Sequence, residues 1–514
     1  MSPRIPALGV LHLFGLLMVA SLPSTRADVR LPHLFTDHMV LQRDRPIRVW
    51  GWADEGEKIT VALDSKSTRT VERNGKWSVT LPRHKAGGPH TLVVQGNNRI
   101  EVQDILMGEV WICSGQSNMQ WPLNGSFESG QVVADSRNNW LRLFSVPRER
   151  AAEPQEDVSA AWQVCGPDTV PDFSAVAYYF GRDLHAALKV PIGLIHTSWG
   201  GSPAEVWMRW DLLATHPDYR QTLLDPWTET ERKYLAELEA WKTESAELRA
   251  EGKEPSRSAP RQPWRPSELY NAMIAPLLPF PIAGAIWYQG EANAGRAFQY
   301  RHLFLNLIEN WREDWGQGDF PFLAVQLAPW DKNRKRAPDE IAAVPGESDW
   351  AELREAQLLA TKLLKNVGLA VITDYGDKDD IHPTQKEPVG ARLALLARSI
   401  AYKHKIVASG PTFKKLKIKK NRAILSFDHV GGGLEARGGK LRGFALCGED
   451  GQFLWANAEI NDDTVVVTHP LINDPTEVRY GWADYPIVNL FNREGLPASP
   501  FRTDDFPMTT APRD

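Results

Sequence analysis

Between residues 104 and 404 short apolar runs alternate with amphipathic stretches, and few folds can absorb that rhythm. Runs at 110–113, 141–146, 192–197, 283–288, 321–327 and 367–373 read as buried strands. Helical periodicity is expected near 174–188, 299–313, 350–364 and 387–403. In the first of these, Val176, Phe180, Leu184 and Leu188 recur every four residues on one face, and Ser174 is placed to cap it. Strands joined through helices run parallel, in a sheet covered on both faces. The expected fold class is therefore α/β.

On either side the period changes to two. Ile47–Trp50, Ile59–Leu63, Trp77–Leu81 and Thr91–Val94 alternate before the α/β stretch, and Leu416–Ile418 and Val465–Val467 alternate after it. An N-terminal β-sandwich domain (28–103), the sheet domain (104–404) and a C-terminal antiparallel β region (405–514) are expected. One segment, 225–266, breaks the strand–helix rhythm. It pairs a charged helix carrying a thin apolar stripe (Tyr234, Leu238, Trp241, Leu248) with a run containing Pro255, Pro260, Pro263 and Pro266. A solvated appendage and a lid over a site fit that insertion equally well.

Composition removes several classes. A net charge of −5 argues against a nucleic-acid binder. Ordinary hydrophobic and charged fractions, 42% and 24%, exclude a disordered or fibrous chain. The three cysteines, Cys113, Cys165 and Cys447, make no disulfide framework and no metal pair. There is no H-E-x-x-H, P-loop or G-x-G-x-x-G, so neither metal nor cofactor is expected. Residues 1–27, with Arg4 before an apolar run and Thr25-Arg26-Ala27 at its end, read as a secretory signal peptide, which implies a secreted or periplasmic protein. No later stretch is long and apolar enough for a membrane span. The oligomeric state is not legible.

The chemistry begins at GEVWICSGQSNMQWPL (108–123), where an apolar strand stops at a glycine-containing turn that carries Ser117. A serine there has its hydroxyl at the carboxyl end of the sheet, where open α/β sheets bind ligands. Met119 stands where the G-x-S-x-G elbow would need its second glycine. A plain turn or cap is the commoner meaning of such a serine. Downstream, DKDDIHPTQK (377–386) offers His382 as a base, with Asp379 or Asp380 to orient it. After another strand, Gly200 and Gly201 offer backbone N–H donors. A third strand ends in Gln289-Gly290-Glu291-Ala292-Asn293, where Glu291 is expected to brace the loop.

Taken together these stretches resemble the SGNH hydrolases, and more narrowly the sialate O-acetylesterase family of carbohydrate esterases. The narrower resemblance also rests on LFTDHMVLQRDRPIRVWGWA, GLIHTSWGGSPAEVW, LYNAMIAPLLPF, IWYQGEANAGRAFQYR and YGWADYPIVNLFNREGLPASPFRTD, in the family's order along nearly the whole chain. It implies a flavodoxin-like SGNH sheet and a serine esterase acting through an acyl-enzyme. The implied oxyanion hole combines the Ser117 N–H, Gly200 or Gly201, and a polar side chain of the third block. Gly290-Glu291-Ala292-Asn293 departs from the superfamily's G-x-N-D, so Gln289 is favoured as that side chain, with Asn293 as the alternative. The superfamily's D-x-x-H spacing selects Asp379, whereas the family's D-I-H-P pattern selects Asp380; Asp379 is slightly favoured. The implied substrate is an acetylated glycan, either a sialic acid or a plant or algal polysaccharide of the xylan or xyloglucan type. A non-catalytic carbohydrate-binding protein is the rival reading.

Overall fold

The computed structural model describes residues 28–333, 336–341 and 343–512. The expected signal peptide, residues 1–27, lies outside the described residues. Six strands open the chain: β1 (Val40–Gln42), β2 (Ile47–Trp52), β3 (Lys58–Leu63), β4 (Lys66–Val71), β5 (Lys76–Leu81) and β6 (Gly87–Gln95). Of these, β2, β3 and β5 bury alternate residues, as in β5, where Trp77, Val79 and Leu81 face inward.

The next strand, β7 (Arg99–Gly115), changes character along its length. Its first residues pair antiparallel with β6, and β1 runs parallel beside Leu106–Gly108. From Ile105 onward every residue is buried. The sequence carries the same change: RIEVQD mixes polar and apolar residues, whereas ILMGEVWIC is almost wholly apolar, as a strand covered on both faces must be. Asp104, at φ 53°, stands at the joint, its carboxylate held by His38 and Arg142. The strand expected at 110–113 is thus the distal part of a 17-residue strand that the N-terminal and parallel sheets share.

The remaining strands of that sheet are β8 (Asn138–Ser145), β9 (Gln163–Cys165), β10 (Ile192–Ser198), β11 (Gly284–Tyr288), β12 (Phe322–Val325) and β13 (Val367–Ala370). Their order is β13-β12-β11-β7-β10-β8-β9, and all neighbours are parallel except β8 and β9. The chain leaves β7 first toward β8 and β10, then crosses to β11 through β13 on the other side. The carboxyl end of β7 therefore faces the crevice where the strand order reverses.

Side chains alternate across this sheet into two cores. Val110, Ile112, Ala285 and Trp287 pack with the helices Ala297–Trp315 and Asp349–Leu363. Trp111, Cys113, Ile286 and Tyr288 pack with the helices Ala175–Leu188 and Glu387–Ile400. Ser174 caps the helix it precedes, accepting the Ala177 N–H at 3.1 Å. Its own hydroxyl donates to the Met119 carbonyl at 2.6 Å, which ties that helix to the turn after β7. The three cysteines are free and buried.

The inserted helix, Trp227–Ala250, buries Ser245 alone. Its return segment is the part that leans on the sheet: Trp264 meets Trp199 edge to face at 5.4 Å. At the C-terminus, Thr412–Lys419, Arg422–Asp428, Thr464–Thr468 and Asn457–Asn461 form an antiparallel sheet in that spatial order. The closing segment stitches back onto the α/β part, with Thr509 and Thr510 donating to Glu352 and Arg502 to Glu355. Among the described residues no helix is long and apolar enough to cross a membrane.

Candidate active site

Gly115 ends β7 at φ 140°, and a Cβ there would collide with the Tyr288 carbonyl oxygen of β11. Glycine alone fits so tight an approach. Gln116 then donates its N–H to the same carbonyl at 2.9 Å, and the short helix Ser117–Gln120 begins. As the first helical residue, Ser117 keeps its N–H outside the helix's own bonding ladder.

Ser117 Oγ lies 2.9 Å from His382 Nε2, although the two residues are 265 apart in the chain. The imidazole stacks on Trp121, with centroids 5.4 Å apart and planes at 20°. His382 Nδ1 lies 3.4 Å from Asp380 Oδ1, and that oxygen also accepts the His382 backbone N–H at 2.8 Å. Asp379 pairs instead with Lys378. This corrects the preference for Asp379. Residues three apart meet in a helical turn, but here the backbone is not helical, and residues two apart share a side. Partial burial holds His382 below its ordinary value, with Asp380 raising it and Lys386 lowering it further.

The expected donors fall into two groups. Gly200 approaches Ser117 closely: a Cβ on it would stand 3.2 Å from Ser117 Cβ. Its N–H donates to Gln120 Oε1 at 2.7 Å. Gly201 follows at φ 75°, beside Arg261. Gln289 and Asn293, in contrast, are fully buried and turned on one another. Gln289 Nε2 donates to Asn293 Oδ1 at 2.6 Å and to the Ser202 carbonyl at 3.3 Å, and Gln289 Oε1 accepts from Tyr300. Both Gln289 amide hydrogens are thereby spent away from Ser117, contrary to the expectation that favoured it. Asn293 donates one N–H to Glu205 at 3.0 Å and accepts from Ala204.

A buried polar chain that the motifs did not reveal lies behind Ser117. Lys386 Nζ donates to Asn118 Oδ1 at 2.6 Å. Asn118 Nδ2 donates to Glu291 Oε1 at 2.7 Å and to the Ile381 carbonyl at 3.0 Å. Asn118 thus bridges the third block to the histidine loop, and Glu291 braces as expected. Burial pushes Lys386 down to about 7 and the Glu291 carboxyl upward. Lys386 follows His382 by four residues and Gln120 follows Ser117 by three, so both sat inside the quoted motifs. Their partners, however, come from distant segments. Among the described residues no group of His, Cys, Asp or Glu is arranged to hold a metal ion.

Residues 258–397 match the family model described as carbohydrate esterase, sialic acid-specific acetylesterase. Over 95% of its length the chain is 30% identical to the sialate O-acetylesterase of Mus musculus, of which it covers 97%. The chain belongs to the sialate O-acetylesterase family. As a member it is a carboxylic ester hydrolase. The Homo sapiens sialate O-acetylesterase is 28% identical over 92% of both chains. The crystal structure of a carbohydrate acetylesterase from Xanthomonas citri superposes with a TM-score of 0.80 at 38% identity, covering 93% of this chain and all of that one. The span matched by the sialate O-acetylesterase family model contains His382, Asp380, Asn293 and Lys386, whereas Ser117 and Gly200 precede it.

Proposed function

We propose that the chain is an SGNH-type serine esterase that removes O-acetyl groups from sialic acids, with Ser117, His382 and Asp380 as its triad. The observation that carries this reading is the 2.9 Å contact between Ser117 Oγ and His382 Nε2, nucleophile and base within hydrogen-bond reach. His382 takes the Ser117 proton as Oγ attacks the acetyl carbonyl, and Asp380 steadies the imidazolium. The oxyanion is received by the N–H groups of Ser117 and Gly200, with the acyl oxygen displacing Gln120 Oε1 from the latter. Asn293, with a second amide N–H beyond the one given to Glu205, supplies the side-chain donor. Collapse expels the sugar hydroxyl, which takes its proton from His382. Water then attacks the acetyl-serine through the same base and releases acetate.

The same reading divides the chain at about residues 103 and 404 and exports it from the cytoplasm behind residues 1–27. The sialic acid assignment draws on the family description and on the named relatives. Acetate release from a chromogenic acetate ester, then from acetylated sialic acids and acetylated xylan, tests it. Ser117→Ala is expected to fold normally and to lose on the order of 10⁶ in rate. Turnover within about tenfold of the parent would remove the triad from this site. Acetate released from xylan alone would replace the substrate and keep the chemistry.

A further inference from the structure

We propose that Arg261, delivered by the return limb of the inserted segment, is a specificity residue that engages the carboxylate of an acidic O-acetylated sugar while its ester is held at Ser117. This rests on the esterase reading above and adds the recognition group that no motif in the sequence supplies. Position comes first. A Cβ on Gly200 would touch Ser117, and a Cβ on Gly201 would stand 3.0 Å from Arg261 Nη2. Nucleophile and guanidinium therefore flank the same two-glycine turn, on the order of 10 Å apart, which is the span of one substituted sugar ring.

Charge agrees with position. The chain carries a net charge of −5, yet this edge of the site is positive. Arg261 is exposed and has no carboxylate partner among the described residues. Arg148 likewise has none, and it adds to the burial that drives His196, on β10, down to about 4. Arg150 is paired with Glu268 at 3.3 Å, but burial raises that carboxyl to about 7, so it offsets the cation only in part.

The limb that carries Arg261 is also anchored. Arg150 packs against the rings of both Trp264 and Trp199, at 4.1 and 5.3 Å from their centroids, and donates to the Pro263 carbonyl at 3.0 Å. Arg261 stands just before that clamp, so its backbone is placed before substrate arrives. A guanidinium fork matches a carboxylate with two parallel hydrogen bonds. A neutral sugar would leave it in water, neither helped nor harmed.

The test uses three substrates on the full chain: an O-acetylated sialic acid, the methyl ester of that same sugar's carboxyl group, and 4-nitrophenyl acetate. In Arg261→Gln, kcat/KM for the acid is expected to fall about ten- to a hundredfold, the worth of a charge-assisted hydrogen bond. The fall should appear mainly in KM, with the methyl ester and the nitrophenyl ester unchanged. Arg261→Lys should restore part of the loss. Equal turnover of acid and methyl ester by the parent enzyme would overturn the proposal, as would a uniform loss on all three substrates in Arg261→Gln. Hydrolysis of nitrophenyl acetate, abolished by Ser117→Ala, reports separately on the esterase site. A failure of acid selectivity there cannot be mistaken for a failure of the chemistry.

Discussion

His382 Nδ1 and Asp380 Oδ1, at 3.4 Å, sit at the long end of hydrogen-bond reach, a separation common in catalytic pairs before substrate closes the site. Asp380→Asn is expected to cost roughly 10⁴ in kcat, and Asp379→Asn far less, since Asp379 faces Lys378. Separate kinetics on the two variants decide between them; near-normal rates in Asp380→Asn would move the role elsewhere. Only neutral His382 can accept the Ser117 proton, so kcat/KM should rise with pH through the histidine's titration. Because burial lowers that group, the midpoint of the acid limb is expected below about 6.5. The nearby cation adds to the depression, so Lys386→Met should shift the midpoint upward, and an unmoved profile would mean that the charge is not felt at the imidazole. The meeting of Ser117 and His382 was legible because one sits in the turn that ends a strand and the other in the loop that follows a strand. Asp380 was not, because two and three residues of separation are both allowed until the loop's conformation is known. Gln289 misled for a related reason: a buried amide facing inward and one facing substrate look alike in a sequence.

At the level of elements, the turn after β7 is held by two distinct devices. Gly115→Ala would force a Cβ onto the Tyr288 carbonyl at a φ that alanine avoids. Denaturant unfolding should show a loss of more than about 2 kcal/mol, with activity falling as Ser117 is displaced. Ser174→Ala removes a helix cap and a hydrogen bond to Met119 together. A cost of about 1–2 kcal/mol is expected, and a value near zero would mean that water replaces both bonds. The parallel strands of the sheet and the helices that cover it were legible from their periods, within a few residues at most ends, whereas the short antiparallel β9 was not. The full extent of β7 was not, because the change at Asp104 from one-sided to two-sided burial reads as a boundary between segments. In the structure it marks a change of neighbours along a single strand.

Across the whole molecule, β7 is the member that the N-terminal and parallel sheets hold in common. A chain beginning at residue 104 would lose β1 and β6 and expose Leu106 and Met107, both buried in the intact protein. Such a truncation is expected to aggregate rather than yield a small active enzyme, and a monomeric, active product on size exclusion would contradict this. The shared strand also bears on the order in which the ribosome delivers the parts. Once residue 115 has emerged, the proximal half of β7 can zip onto β6, while the distal half still lacks β10 and β11, whose first residues are Ile192 and Gly284. Domains form N-terminal first during synthesis. The strand that leads to Ser117 is then aligned early by the N-terminal sheet, and its open edge becomes the template on which the later parallel strands find their register.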